Sequence, residues 1–255
     1  MPELHILIPI LFAAGLAAGL VDSVAGGGGL ITVPVLLAVG LPPKLALGTN
    51  KFQASFGSCT AAITYVRGGK VDLRAAALGV AITFLAAVAG AVTVQLLDSE
   101  LLGKIIPLAM VGILAYVLIV PKLGEVDTRP RMNRGLFYLL SGVGIGFYDG
   151  FFGPGTGSFW TMAFMVLLGF NMTRAVGHTK VMNFTSNIAA LLFFVLGGNV
   201  DVVLGVSMAA GQVIGARIGA GLVLRKGVKF IRPVFIVVVF LTTVKLVWDN
   251  FVAEW

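Results

Sequence analysis

The chain is a succession of apolar runs with almost nothing polar between them. The runs lie at about 5–24, 28–41, 45–66, 73–97, 101–121, 134–151, 157–170, 174–196, 201–224 and 230–252, and the only polar loop of any length is 122–133. A helix needs about 17–20 apolar residues to cross a hydrocarbon core about 30 Å thick. Most of the runs meet that requirement. Only 11% of the residues are Asp, Glu, Lys or Arg, against about 25% in a soluble domain. That balance excludes a water-soluble globule and a disordered chain alike. The expectation is an all-α polytopic membrane protein of eight to ten helical segments. The first five residues, Met1 to His5, carry no Lys or Arg, whereas a cleaved signal starts positive. The first run is therefore expected to stay in the mature protein.

Two of the runs, 28–41 and 157–170, are too short to span comfortably. Each follows a glycine-rich break, Gly26-Gly27-Gly28-Gly29 in one case and Gly153-Pro154-Gly155-Thr156-Gly157 in the other. Short, Gly/Pro-interrupted segments at matching places in two halves mark transporter binding sites. The halves do match. Gly19-Leu20-Val21-Asp22 aligns with Gly146-Phe147-Tyr148-Asp149, and the breaks follow in register. With two residues inserted, Ala46-Leu47-Gly48-Thr49-Asn50-Lys51 falls on Ala175-Val176-Gly177-His178-Thr179-Lys180. The register then carries Gly68-Gly69-Lys70-Val71-Asp72 onto Gly197-Gly198-Asn199-Val200-Asp201, and Gly90-Ala91 onto Gly219-Ala220. Polar positions align as well as small ones, so this is an internal repeat.

The basic residues orient the halves. With five alternating segments per half, one side collects Arg67, Lys70, Arg74, Lys122, Arg129, Arg131, Arg134, Arg174, Arg225, Lys226, Lys229 and Arg232. The other side collects only Lys44 and Lys104, while Lys51, Lys180, Arg217 and Lys245 fall within segments. The positive-inside rule puts the first side in the cytoplasm and both termini outside it. Five is odd, so the second half runs upside down. The expected organisation is a first repeat at 1–121, a cytoplasmic linker at 122–133 and an inverted second repeat at 134–255. Each repeat would hold a glycine-broken helix hairpin plus three spanning helices.

A break inside a membrane frees backbone N–H and C=O groups that must face protein or a wet cavity. The helix that starts there aims its N–H groups and positive dipole end inward, which favours an anion. Gly26, Gly27, Gly28 and Gly29 form one such cradle, and Gly153, Gly155 and Thr156 the other, with Ser23, Thr32 and Ser158 as nearby hydroxyl donors. The alternative is close helix packing, the role that the spacing of Gly15/Gly19 and Gly215/Gly219 suggests. Lys51 lies eight residues past Pro43, about 12 Å along a helix and near the midplane. Lys180 is its counterpart. An ammonium at that depth faces a cavity or a partner. The lysines attract an anion, with Asn50, Gln53, Asn183 and Asn187 adding directional hydrogen bonds, or pair with Asp22 and Asp149, and the two readings are compatible because an anion and an Asp could share one Lys. The two carboxylates could also cap freed N–H groups or carry a coupling proton. His178 replaces Thr49 of the first half and is either proton-responsive or a packing residue. Arg217 either snorkels or attracts anions on the cytoplasmic side.

Enzyme signatures such as HExxH and GxSxG are absent, and the basic residues flank membrane segments rather than forming a nucleic-acid surface. One cysteine, Cys59, allows no intrachain disulfide or thiolate cluster, and two histidines make no metal site. No cofactor or metal is expected.

The stretch Gly19-Leu20-Val21-Asp22-Ser23-Val24-Ala25-Gly26-Gly27-Gly28-Gly29 followed by Gly48-Thr49-Asn50-Lys51, and its partner Gly146-Phe147-Tyr148-Asp149-Gly150-Phe151-Phe152-Gly153-Pro154-Gly155 followed by Lys180-Val181-Met182-Asn183, resemble the TauE/SafE family. The likeness covers essentially the whole chain, including the join at Pro121–Glu125. It implies a transporter of sulfite, sulfoacetate or related small anions. The functional expectation is a multi-pass exporter in the inner, or plasma, membrane, working by alternating access around a midplane site. A passive anion channel and an integral-membrane enzyme are the alternatives. The expected partners are a small anion and the lipid bilayer, with no nucleic acid. The oligomeric state is open, a homodimer being one arrangement.

Overall fold

The structure is a computed structural model, and it describes residues 4–119 and 126–226. Among these residues it is all helix: α1 (Leu4–Ala25), α2 (Gly29–Ala38), α3 (Pro43–Arg67), α4 (Leu73–Leu96), α5 (Ser99–Ile119), α6 (Arg134–Phe151), α7 (Thr156–Leu168), α8 (Met172–Leu196) and α9 (Val202–Lys226). These match the first nine apolar runs. The tenth run, 230–252, with Lys229, Arg232 and Lys245, lies outside the described residues, as does the 122–125 part of the linker.

Local chemistry sets the boundaries. Asp72, Asn133 and Asn171 cap α4, α6 and α8, accepting from the N–H of Ala75, Leu136 and Arg174 at 3.1, 2.8 and 3.0 Å. Such caps satisfy N–H groups that the first turn cannot. Glycines in the left-handed region recur at matching places: Gly26 with Gly153, Gly40 with Gly169 and Gly69 with Gly198. Among the described residues four helices, α1, α4, α8 and α9, are long and apolar enough to cross a membrane. With 10 and 13 residues, α2 and α7 reach only about 15 and 20 Å. The molecule is a membrane protein. Large apolar side chains such as Leu85, Leu108 and Leu196 are exposed on its outer surface, where lipid would cover them.

Helices distant in sequence pack in parallel through small residues. On α1, Gly15 and Gly19 face Met208 and Gln212 of α9, and Gly211 and Gly215 face Phe12, Leu16 and Leu20 in return. Gly142, Gly146 and Gly150 of α6 lie against Ile82, Thr83 and Ala87 of α4, and Gly90 answers against Phe147 and Phe151. Missing side chains let the backbones approach, which is how helices associate in lipid. Between these pairs α3 and α8 run antiparallel, with Gly48 beside Phe194 and Gly177 beside Tyr65.

The connections gather at two ends. At one, Lys44 Nζ donates to the Gln95 carbonyl at 2.9 Å, Asn199 Nδ2 donates to Gln95 Oε1 at 3.3 Å, and the Asp201 N–H donates to Thr49 Oγ1 at 2.9 Å. At the other, Asp127 pairs with Arg174 at 3.2 Å, and the Thr128 N–H donates to the Gly169 carbonyl at 2.7 Å. The second end also carries the ends of α3 and α9 and the starts of α4, α6 and α8. Arg67, Arg74, Arg134, Arg174 and Arg225 therefore share it.

Candidate functional site

The two helix breaks meet. A Cβ on Gly26 would fall on the Gly157 backbone, one on Gly157 would lie 2.5 Å from Gly26 Cα, and one on Gly29 would lie 3.1 Å from Pro154 Cα. Ser158 Oγ donates to the Gly26 carbonyl at 3.0 Å across the join. Close packing and a functional break are thus the same feature here. Gly26 at φ 72°, Gly153 at φ 100° and Gly155 at φ 82° also hold conformations that a side chain resists.

Polar residues of α3 and α8 converge on this junction. Lys51 and Lys180 are 1% and 0% exposed. Lys51 Nζ donates to Asp149 Oδ1 at 2.6 Å, to the Asp149 carbonyl, and to Asn187 Oδ1 at 3.4 Å. Lys180 Nζ donates to Asp22 Oδ2 at 2.8 Å. Each lysine therefore pairs with the carboxylate of the opposite half. The carboxylates differ in their remaining bonds. Asp22 Oδ1 accepts the N–H of Gly27 at 3.0 Å and of Gly28 at 3.1 Å, so the first break is capped by an internal anion. Asp149 Oδ2 instead accepts the Ser186 hydroxyl.

Against this junction lies a small cavity of about 30 Å³. Of the residues expected from sequence, it is lined by Gly27, Gly28, Gly29, Asn50, Lys51, Gly153, Thr156, Asn183 and Asn187, together with Asp22 and Asp149. Others serve it from behind. Gln53 Nε2 donates to Asn50 Oδ1 at 2.8 Å, and Thr32 Oγ1 donates to the same oxygen at 2.6 Å. That oxygen is thereby occupied, and the Asn50 amide N–H groups are left to point elsewhere. Ser23 donates to the Leu20 carbonyl at 2.9 Å, and its own carbonyl accepts Tyr65 Oη–H at 2.8 Å. Gly155 packs on Ile113. Ser23, Gly26, Gln53, Gly155, Ser158 and Lys180 do not line the cavity.

Two further sequence candidates lie apart from it. His178 Nδ1 is 2.9 Å from the Arg174 carbonyl, and its ring centroid is 5.5 Å from that of Phe164 and 4.9 Å from that of Phe170. Arg217 is exposed on the outer face of α9. The cavity adds Gly157, the last residue of the second glycine-rich break, and Ala54 and Gln212, which sequence reasoning did not select. Gln212 is 2% exposed on an otherwise apolar turn of α9. A Cβ on Gly57 or Gly19 would strike its side chain, so those glycines make room for it. A lone amide within an apolar span was the available signal. Asn183 Oδ1 has no hydrogen-bond partner among the described residues, a costly state for a buried carbonyl unless a ligand or solvent donates to it.

Comparison with known proteins gives the chain a family. The sequence matches the family described as Sulfite exporter TauE/SafE over residues 11–246. It is 46% identical over 245 residues to the probable membrane transporter protein YfcA of Escherichia coli strain K12, covering 96% of this chain and 91% of that one. It is 44% identical over 244 residues to a probable membrane transporter protein of Haemophilus influenzae, covering 96% of each chain. With the probable membrane transporter protein ORF9 of a Sinorhizobium species it shares 40% identity over 243 residues, covering 95% and 93%. No solved structure matches the chain. On a match over nearly the whole chain and on these relatives, the chain belongs to the TauE/SafE family and is a membrane transporter, not an enzyme.

Proposed function

We propose that the protein carries a small anion of the sulfite or organosulfonate class across the plasma membrane, by alternating access around the cavity where the two helix breaks meet. The observation that carries this reading is Lys51, a buried ammonium that lines the cavity among Asn50, Asn183, Asn187, Gln212 and Thr156. The Asp22 and Asp149 carboxylates share the cavity, and Lys51 is bonded to Asp149, but an ammonium able to turn from that carboxylate toward neutral amides and a hydroxyl suits a compact oxyanion, because charge-assisted hydrogen bonds are the strong ones. The cavity is narrow and held between bonded helix breaks, which favours a carrier that must rearrange over an open pore.

The same reading makes residues 1–121 and 134–255 inverted repeats joined by a cytoplasmic linker at 122–133. Three observations support it: the pairing of α1 with α9 and of α4 with α6, the exchanged Lys–Asp pairs, and the recurring left-handed glycines. A two-fold axis in the membrane plane would generate each of these. The arginine-rich end would face the cytoplasm and the termini the exterior.

Liposomes containing the purified protein test the transport reading. Release of sulfite, sulfate, thiosulfate, sulfoacetate and taurine would be followed in parallel. Saturable release of at least one sulfur oxyanion is expected. Release of none, or unitary currents far above transporter turnover, would overturn the proposal.

A further inference from the structure

The junction is electrically complete without a ligand. Four ionisable side chains meet there, the ammonium groups of Lys51 and Lys180 and the carboxylates of Asp22 and Asp149, and each ammonium is bonded to one carboxylate. Their charges sum to zero. A monoanion that enters the cavity therefore brings an uncompensated charge into the interior of a membrane protein, where an unpaired charge is expensive. Neutrality is kept if a cation enters with it. The smallest is a proton, and two carboxylates stand ready to take one.

The geometry separates those carboxylates. Asp22 holds two backbone N–H groups besides Lys180, and Lys180 does not line the cavity. Lys180 is therefore out of a ligand's reach, and Asp22, although it lines the cavity, already accepts from three donors that do not have to move when a ligand enters. Asp149 and Lys51 both line the cavity. Gly153 leaves them room, since a Cβ there would lie 2.5 Å from Lys51 Nζ and 3.0 Å from Asp149 Oδ1. When Lys51 turns to a ligand, Asp149 keeps only the Ser186 hydroxyl, a group that accepts as readily as it donates.

We propose that Asp149 is a proton site, and that one proton binds there for each monoanion held by Lys51. This rests on the reading of the cavity as an anion site. The exchange balances. The Lys51 N–H to Asp149 bond is replaced by a Lys51 N–H to anion bond, and an Asp149 oxygen gains a proton from water on the side to which the cavity opens. Release of the anion returns the proton and restores the pair, so the loaded carrier moves no net charge.

Among the described residues no competing titratable group is in contact with Asp149. From α3 it meets Lys51, and from α8 Ser186, with Lys180 turned to Asp22 of α1. On α6 itself the Tyr148 hydroxyl donates to the Pro154 carbonyl at 2.6 Å. The segment Thr156–Leu168 of α7 has no ionisable side chain, and in α4 the only one is Arg74 at its start. His178 is enclosed by Phe164 and Phe170.

The test uses methanesulfonate and isethionate, whose sulfonates stay ionised throughout, so that any pH dependence belongs to the protein. Binding to the wild-type full chain should weaken with rising pH, by about tenfold per pH unit where one proton is taken up with each anion. Asp149→Asn, fixed in the neutral form, should bind without that slope. In liposomes a pH gradient should drive wild-type uptake and a membrane potential alone should not. Infrared difference spectra of the wild type, which need no variant, should gain the carbonyl band of a protonated carboxyl when the sulfonate is added. Binding that is independent of pH in the wild type, or uptake driven by potential alone, would overturn the proton site and leave the anion site standing. An unchanged slope in Asp149→Asn would overturn the assignment to Asp149. Failure of both sulfonates to bind at any pH would instead refute the anion site itself, and this inference with it.

Discussion

The pair between Lys180 and Asp22 permits an asymmetric prediction, because its two members lose different things when mutated. Asp22→Ala leaves Lys180, whose side chain is 0% exposed, without its carboxylate, and strips the bonds at 3.0 and 3.1 Å from Gly27 and Gly28. Breaking a buried pair by removing one partner costs about 3–5 kcal/mol, and the lost caps push Asp22→Ala to the top of that range or beyond. Lys180→Met keeps both caps, each a bond to a charged group worth about 1.5–3 kcal/mol, so its cost belongs at the bottom of the range. At about 2–4 °C per kcal/mol for a chain of this size, Lys180→Met should lower the melting temperature by about 6–12 °C and Asp22→Ala by more. The double variant Lys180→Met/Asp22→Asn removes both charges and keeps an oxygen for the caps. It should be less destabilised than the sum of Lys180→Met and Asp22→Asn, with a coupling of about 2 kcal/mol. Thermal melts of detergent-solubilised protein read this out. Single variants within a degree of wild type, or a strictly additive double variant, would refute the reasoning.

Gly150→Leu should disrupt insertion or melting strongly, since its Cβ falls on the Ala87 backbone, whereas Gly144→Ala, with nothing within 4 Å, should melt at or above wild type. Side-by-side expression and melting of the two variants checks this, and equal behaviour would contradict the α4–α6 packing. On topology, impermeant thiol reagents applied to intact cells should label Glu100→Cys but not Lys70→Cys or Arg129→Cys. The reverse pattern would overturn the orientation drawn from the basic residues.

Much of the fold is legible in the chain because membrane helices announce themselves. The run at 134–151 became α6 with the same bounds, since Asn133 caps it and the Gly153 break follows it. The breaks themselves were legible because glycine clusters have few other uses inside apolar sequence. Partnerships were not. That Lys51 reaches Asp149 and Lys180 reaches Asp22, each across the halves, depends on which helices are neighbours. A repeat alone leaves both pairings open. Nor does sequence show how tight Gly15 is: a Cβ there would strike the Met208 carbonyl of α9, and alanine would push two helices apart. The conformation of Gly155 was equally hidden, since its φ of 82°, which strains any larger residue, depends on how the break folds. Gln212 is inconspicuous in the sequence for a different reason. Its counterpart in the repeat is Thr83, so the alignment offered no second amide to draw attention to it.

The measurement that bears most directly on the central claim is the anion-dependent stabilisation of wild type and Lys51→Met. The best-bound sulfur oxyanion is added at about a hundred times its dissociation constant, where one-site binding stabilises the folded protein by about 2.7 kcal/mol. Lys51 lines the cavity at 1% exposure, so the account predicts that wild type shows this shift and that Lys51→Met, although inserted and folded, loses nearly all of it. A full ligand-induced shift in Lys51→Met would mean that the anion binds elsewhere and that the ammonium between the two helix breaks is structural.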